Sequence, residues 1–228
     1  MSRDGEDTSN LEYAIDIARW KVKSAFWTMT ELIESTMDVL QHDESIDPQL
    51  AKRAARHIVI PLWNEQVAIE DSWPEEEKTI AEKLAVAFDS LDSKHQIPAR
   101  MNFTCCRRCG VSEIGMDRDE DEPAIGYAFF TEQTTEGFVK HPGSGIMIYY
   151  GTFGRSRVKC EEVASRIVRV LRRAGLSVEW DGDTSNAMEV KCDEWRKRLI
   201  VEAGDSDFES DDEEEEGEEE GKEEVKEE

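Results

Sequence analysis

The stretch IPARMNFTCCRRCG, residues 97–110, separates two kinds of sequence. Before it, apolar residues recur every three or four positions, the period of a helix that buries one face. After it, short β-branched and aromatic runs alternate with helical ones. Inside it, Pro98 stops the last helix, a strand-like run carries through Phe103, and Cys105, Cys106 and Cys109 follow closely.

Toward the N-terminus the pattern predicts four helices. Ser9 or Asn10 caps the first, with Leu11, Ile15, Ala18, Val22, Ala25 and Phe26 inward. Thr28 and Glu31 have the spacing of a capping box, and Leu32, Ile33, Met37 and Leu40 form the stripe behind it. Asp47 before Pro48 opens a third helix carrying Leu50, Ala54, Ile58 and Leu62, which Pro61 is expected to kink or divide. Ser72 and Pro74 open a fourth, with Ile80, Leu84, Ala87, Phe88 and Leu91 on one side.

Toward the C-terminus, Ile125–Phe130 and Ile146–Tyr150 read as strands, with a short helix over Thr131–Lys140 between them. Val158–Ala174 reads as a long helix with Val163, Ile167, Val170 and Leu171 as its core stripe and Gly175 closing it. Leu176–Trp180 and Ala187–Cys192 read as a hairpin about Asp181, Gly182 and Asp183. The expected fold class is α+β: a helical N-terminal half packed on a C-terminal mixed α/β sheet layer. The expected divisions are a disordered N-terminus (1–8), a helical region (9–96), a sheet region (97–203) that forms one domain with residues 50–96, and a tail (204–228). The tail is nearly all Asp, Glu, Gly and Lys and is expected to be disordered, because it has too little apolar surface to offset the entropy of ordering.

Charge and composition narrow the function classes. Residues 205–228 hold sixteen acidic and two basic side chains, so the tail supplies −14 of the net −25. The remainder is still acidic, which disfavours binding to a phosphate backbone, and no nucleic-acid partner is expected. No apolar run is long enough to span a bilayer, and no membrane partner is expected. Five cysteines, an odd number without regular spacing, do not form an extracellular disulfide framework; with no apolar leader this points to the cytosol or the nucleus.

Cys106 and Cys109 stand with two residues between them where a strand passes into a helix, so they are the candidate catalytic pair. A helix N-terminus and the flanking Arg107 and Arg108 both favour thiolate, the reactive form. The same residues with Cys105 offer three sulfurs to zinc, but a closed structural site needs four ligands. His141, Cys160 and Cys192, the candidates for a fourth, are distant in sequence. The third reading is three small half-buried side chains with no chemistry, and it implies no cofactor.

Other patterns fail on inspection. Asp117, Asp119 and Asp121 begin like a calcium loop, but Glu122 stands where glycine is needed and Ala128 where the closing glutamate is needed. Asp181, Asp183 and Ser185 fail in the same way and read as a solvated turn. Arg166, Arg169, Arg172 and Arg173 give the long helix a basic side, a candidate binding face for an anion or an acidic peptide.

Taken together, the words FTCCRRCG, GYAFFTEQTTE, IYYGTFG, RRAGLSVEWDGD and DEWRKR resemble a family known as domain of unknown function 6891, over roughly Leu50 to Leu199. The resemblance carries over Cys105, Cys106 and Cys109 as the Cys-Cys-x-x-Cys core. It also carries over Gln133 and Thr135, while Thr131 stands where the family pattern has histidine. It implies no activity, substrate or cofactor. Two functions of different kinds follow from the residues. One is a non-catalytic interaction protein using the acidic tail, which would reach basic protein partners, and the basic helix face. The other is a thiol-dependent activity at Cys106 and Cys109.

Overall fold

The computed structural model describes residues 4–41, 46–74, 78–116, 124–153 and 159–202, with side chains from residue 10 onward. Its first half is four helices: α1 (Asp4–Ser24), α2 (Met29–Leu40), α3 (Pro48–Asp71) and α4 (Ile80–His95). Then come β1 (Ala99–Arg100), α5 (Arg107–Glu113), β2 (Tyr127–Phe129), α6 (Glu132–Lys140), β3 (Ile146–Gly151), α7 (Cys160–Arg173), β4 (Val178–Glu179) and β5 (Met188–Val190). The strands form one sheet in the order β1-β2-β3-β5-β4. β1 pairs parallel to β2, with Ala99 opposite Ala128, and every other pairing is antiparallel. The architecture is therefore α+β with a mixed sheet, and the order of elements after residue 97 is the one the sequence predicts.

Two apolar clusters hold the molecule together. One joins the sheet to α4, α6 and α7 through Leu84, Phe88, Leu91, Phe130, Phe138, Ile146, Ile148, Ile167 and Leu171. The other lies among α1, α2 and α3 and includes Ala18, Val22, Leu32, Ala55, Val59 and Trp63. The C-terminal strap, residues 191–202, ties them together. Trp195 packs in the first cluster and Leu199 in the second. Trp195 Nε1 donates to Ser24 O at 3.0 Å, Lys197 Nζ to Ala25 O at 2.6 Å, and the Leu199 amide to the Glu70 carboxylate at 2.9 Å. Ala25 is buried at a left-handed φ of 58°, so Lys197 holds the carbonyl of a residue that alanine rarely supplies.

Local signals explain most helix starts. Thr28 and Glu31 form the expected capping box, and Asp47 accepts the amides of Gln49 and Leu50 ahead of Pro48. Four expectations are corrected. The Ser72 hydroxyl donates to Ile69 O at the end of α3, and it is Thr79 with Glu82 that boxes the start of α4. Of the two outcomes expected at Pro61, division is overturned: the proline lies inside an unbroken α3. The fully buried stripe of α3 is Ala51, Ala55, Val59 and Trp63, one position on from the predicted one; Ala54, Ile58 and Leu62 pack half-buried beside it, and Leu50 is 61% exposed. Small Ala51 and Ala55 face the neighbouring helices, where a larger Leu50 would hold the backbones apart. α1 starts at Asp4, earlier than the predicted cap.

The expected tail, the first three residues, Asp117, Asp119, Asp121 and Glu122 lie outside the described residues. No described helix is long and apolar enough to cross a membrane.

Candidate functional site

β1 ends at Arg100, three residues short of the predicted strand end, because the chain turns there. Asn102 and Thr104 take left-handed φ values of 51° and 57°, while the Phe103 amide between them still donates to Phe130 O at 2.8 Å. A strand cannot continue through two such residues. The turn sends the three cysteines out of the sheet and toward the start of α6.

The first backbone amides of a helix have no partner within it. In α6 these are given to the cysteine loop: Glu132 N donates to Thr104 O at 3.0 Å and Gln133 N to Cys105 O at 3.3 Å. The Thr135 hydroxyl donates to Asn102 Oδ1 at 2.7 Å. Beneath the loop lies an aromatic base of Phe103, Phe129 and Tyr149, with ring centroids 6.0 and 5.7 Å apart, and Arg107 lies over the Tyr149 ring at 5.2 Å. Gly110 of α5 rests on Phe129 so closely that an added Cβ would stand 2.4 Å from the ring.

On this support the three sulfurs converge. Cys105 Sγ is 3.5 Å from Cys109 Sγ, and all three Sγ atoms lie within 4.8 Å of one another. Cys105 is exposed; Cys106 and Cys109 are half-buried. Their acidities diverge. The Cys109 amide, together with contacts from the other two thiols, holds Cys106 below the usual thiol value. Cys109 is pushed up to about 11 by hydrogen bonds with Cys105 and Cys106 and by their negative charge. Cys106 is therefore the sulfur that ionises ahead of Cys109.

The predicted pair is thus brought together, with Cys105 as a third member. Among the described residues no fourth histidine, cysteine or carboxylate joins the group, and His141, Cys160 and Cys192 stand outside it. Burial raises the Cys160 thiol, and it pushes the buried Cys192 up to about 11. A cavity of about 540 Å³ opens elsewhere, between α1, α3 and the strap, and none of the clustered cysteines lines it. Of the basic side of α7, Arg172 is engaged in donating to Val178 O at 2.9 Å, while Arg166, Arg169 and Arg173 lie on or near the surface. Asp181, Asp183 and Ser185 form the solvated turn the sequence predicts, in which Asp183 Oδ1 accepts both the amide and the hydroxyl of Ser185.

The supporting contacts from Asn102 and Thr135 are invisible to periodicity, since 33 residues separate them. Thr135 falls in GYAFFTEQTTE, one of the words on which the family resemblance rests, while Asn102 lies just ahead of FTCCRRCG and carries no such signal. A family model described as Domain of unknown function (DUF6891) matches residues 7–199, from α1 to the strap, and so takes in helices that lie before Leu50. No curated protein matches the chain, and no solved structure does.

Proposed function

The chain belongs to the DUF6891 family, and since that description names no activity, we propose one from the site: Cys105, Cys106 and Cys109 together bind one thiophilic divalent cation of the zinc type, leaving its fourth position to solvent or to a substrate. The observation that carries this is the meeting of three sulfurs within 4.8 Å of one another. Zinc–thiolate bonds of about 2.3 Å in a tetrahedron put sulfurs about 3.8 Å apart, a spacing close to the one found here. Closed structural zinc sites take four protein ligands, whereas sites that act on a bound molecule keep one position open. An exposed Cys105 and the lack of a fourth ligand among the described residues fit the second kind. The metal would lower the proton affinity of whatever fills that position and neutralise most of the charge of three thiolates.

A second reading is favoured by the 3.5 Å contact between Cys105 and Cys109. Two sulfurs so close can form a disulfide, with two electrons and two protons passing to a peroxide or a small disulfide. Metal analysis separates the two readings. Protein purified in reducing buffer without chelator is expected to hold about one zinc per chain, given three preassembled thiolates. The metal is expected to be lost in Cys105→Ser, Cys106→Ser and Cys109→Ser but kept in Cys160→Ser. Zinc well below one equivalent, with none retained after reconstitution of the reduced protein, overturns the metal reading. A Cys105–Cys109 disulfide formed when that metal-free protein is treated with about one equivalent of peroxide, which is reduced to water, supports the redox one.

A further inference from the structure

A strongly basic face runs along α7 and the end of α4. Arg166, Arg169 and Arg173 follow one another at intervals of three and four, so they share one side of α7. α4 packs against α7 in the sheet-side core and ends in Lys94 and His95. His95 registers the crowding: its imidazole is held below its usual value by partial burial and then by Arg166, Arg173, Lys94 and Arg169. At the far end of α7, a methyl placed on Gly175 would meet Lys83 Cε at 3.9 Å, which adds another cation beside the helix. Glu162, four residues before Arg166, puts one acid at the N-terminal end of this side, and three arginines outnumber it there. Asp92 pairs with Arg100, and Glu161 and Glu162 stand in the first turn of α7. None of Arg166, Arg169, Arg173 or Lys94 forms an ion pair with a described carboxylate.

We propose that the occupant of this face is the acidic segment of the same chain, residues 205–228. Sixteen acidic side chains in that segment give it the charge complementary to the face. The reach is sufficient. The described chain ends at Glu202, just beyond Arg198, which lines a cavity with Thr79, Glu82 and Ala85 of α4. α4 runs from that cavity to His95 over 16 residues, about 24 Å at a rise of 1.5 Å per residue. Residues 203–228 can span up to about 90 Å when extended. Docked there, the segment covers the basic face against other anions. Arg172 is not part of this face, because its guanidinium is spent on Val178 O.

Zero-length carbodiimide coupling of carboxylates to amines in the intact protein tests this, with peptide mass mapping as the readout. At about 0.01 M salt, where the Debye length is about 30 Å, links from residues 205–228 are expected at Lys94 and Lys83 within single molecules. They are expected to vanish at about 1 M salt, where that length is about 3 Å, and in the triple variant Arg166→Glu, Arg169→Glu, Arg173→Glu. Exposed Lys52 on α3 is the internal control. Should the triple variant lose its circular dichroism, Arg169→Gln alone, at an exposed position, is expected to reduce the Lys94 links without unfolding. A tail that links as often to Lys52 as to Lys94 overturns the proposal. Links that form only between molecules also overturn it and leave the face to an anionic partner.

Discussion

Cys105 and Cys106 are neighbours, and adjacent side chains of an extended segment point to opposite sides. Their sulfurs still meet Cys109 because Thr104 turns the chain at φ 57° and the first turn of α6 holds the carbonyls of Thr104 and Cys105. The unequal acidities give a direct prediction for the reduced, metal-free protein. Only thiolate is alkylated, so a thiol with a lowered pKa reacts at lower pH. Raising the pH from about 6 is expected to label Cys106 first, with Cys109, held up to about 11, among the last. Equal labelling of the two, read by peptide mass, would contradict the arrangement. Gly110 gives a second test. In Gly110→Ala the new methyl would strike the fully buried Phe129 ring, and overpacking of this kind costs about 1–3 kcal/mol. A fall in Tm of several degrees is expected, together with weakened zinc binding as α5 shifts. An unchanged Tm would mean that α5 does not rest on that ring.

The helices show what patterning can and cannot reveal. Thr28 with Glu31 was legible because a capping box is local chemistry, complete within four residues. The sequence leaves the start of α4 open because Ser72 and Thr79 are both competent caps, and the choice between them is made by packing. Periodicity places the stripe of α3 one residue early because that helix has two adjacent apolar rows, and contact with α1 and α2 decides which is fully buried. Alanine substitution separates those rows. Leu50→Ala is expected to change stability by no more than about 0.5 kcal/mol, and Trp63→Ala to cost about 3–5 kcal/mol, as read by denaturant unfolding. Similar losses at both positions would contradict the observed face. The strap was not legible at all, since it has no periodicity and acts through Trp195, Lys197 and Leu199 on residues more than a hundred positions away.

At the scale of the whole molecule, the two apolar clusters are joined by that strap, and the cysteine loop lies on the sheet side of the join. The family match runs over both clusters, ending at Leu199, the residue that anchors the strap among α1, α2 and α3. Fold class and the identity of the three cysteines could be read from the sequence, because periodicity and spacing encode them. The convergence of the sulfurs could not, because it depends on Asn102 and Thr104 in left-handed turns and on a helix that begins nearly thirty residues later. That convergence is the basis of the functional account. X-ray absorption at the zinc edge of the loaded, full-length protein tests it most directly. Three sulfur neighbours at about 2.3 Å and one nitrogen or oxygen neighbour at about 2.0–2.1 Å are predicted. A spectrum without sulfur neighbours, or with four of them, would contradict a trithiolate centre with one open position.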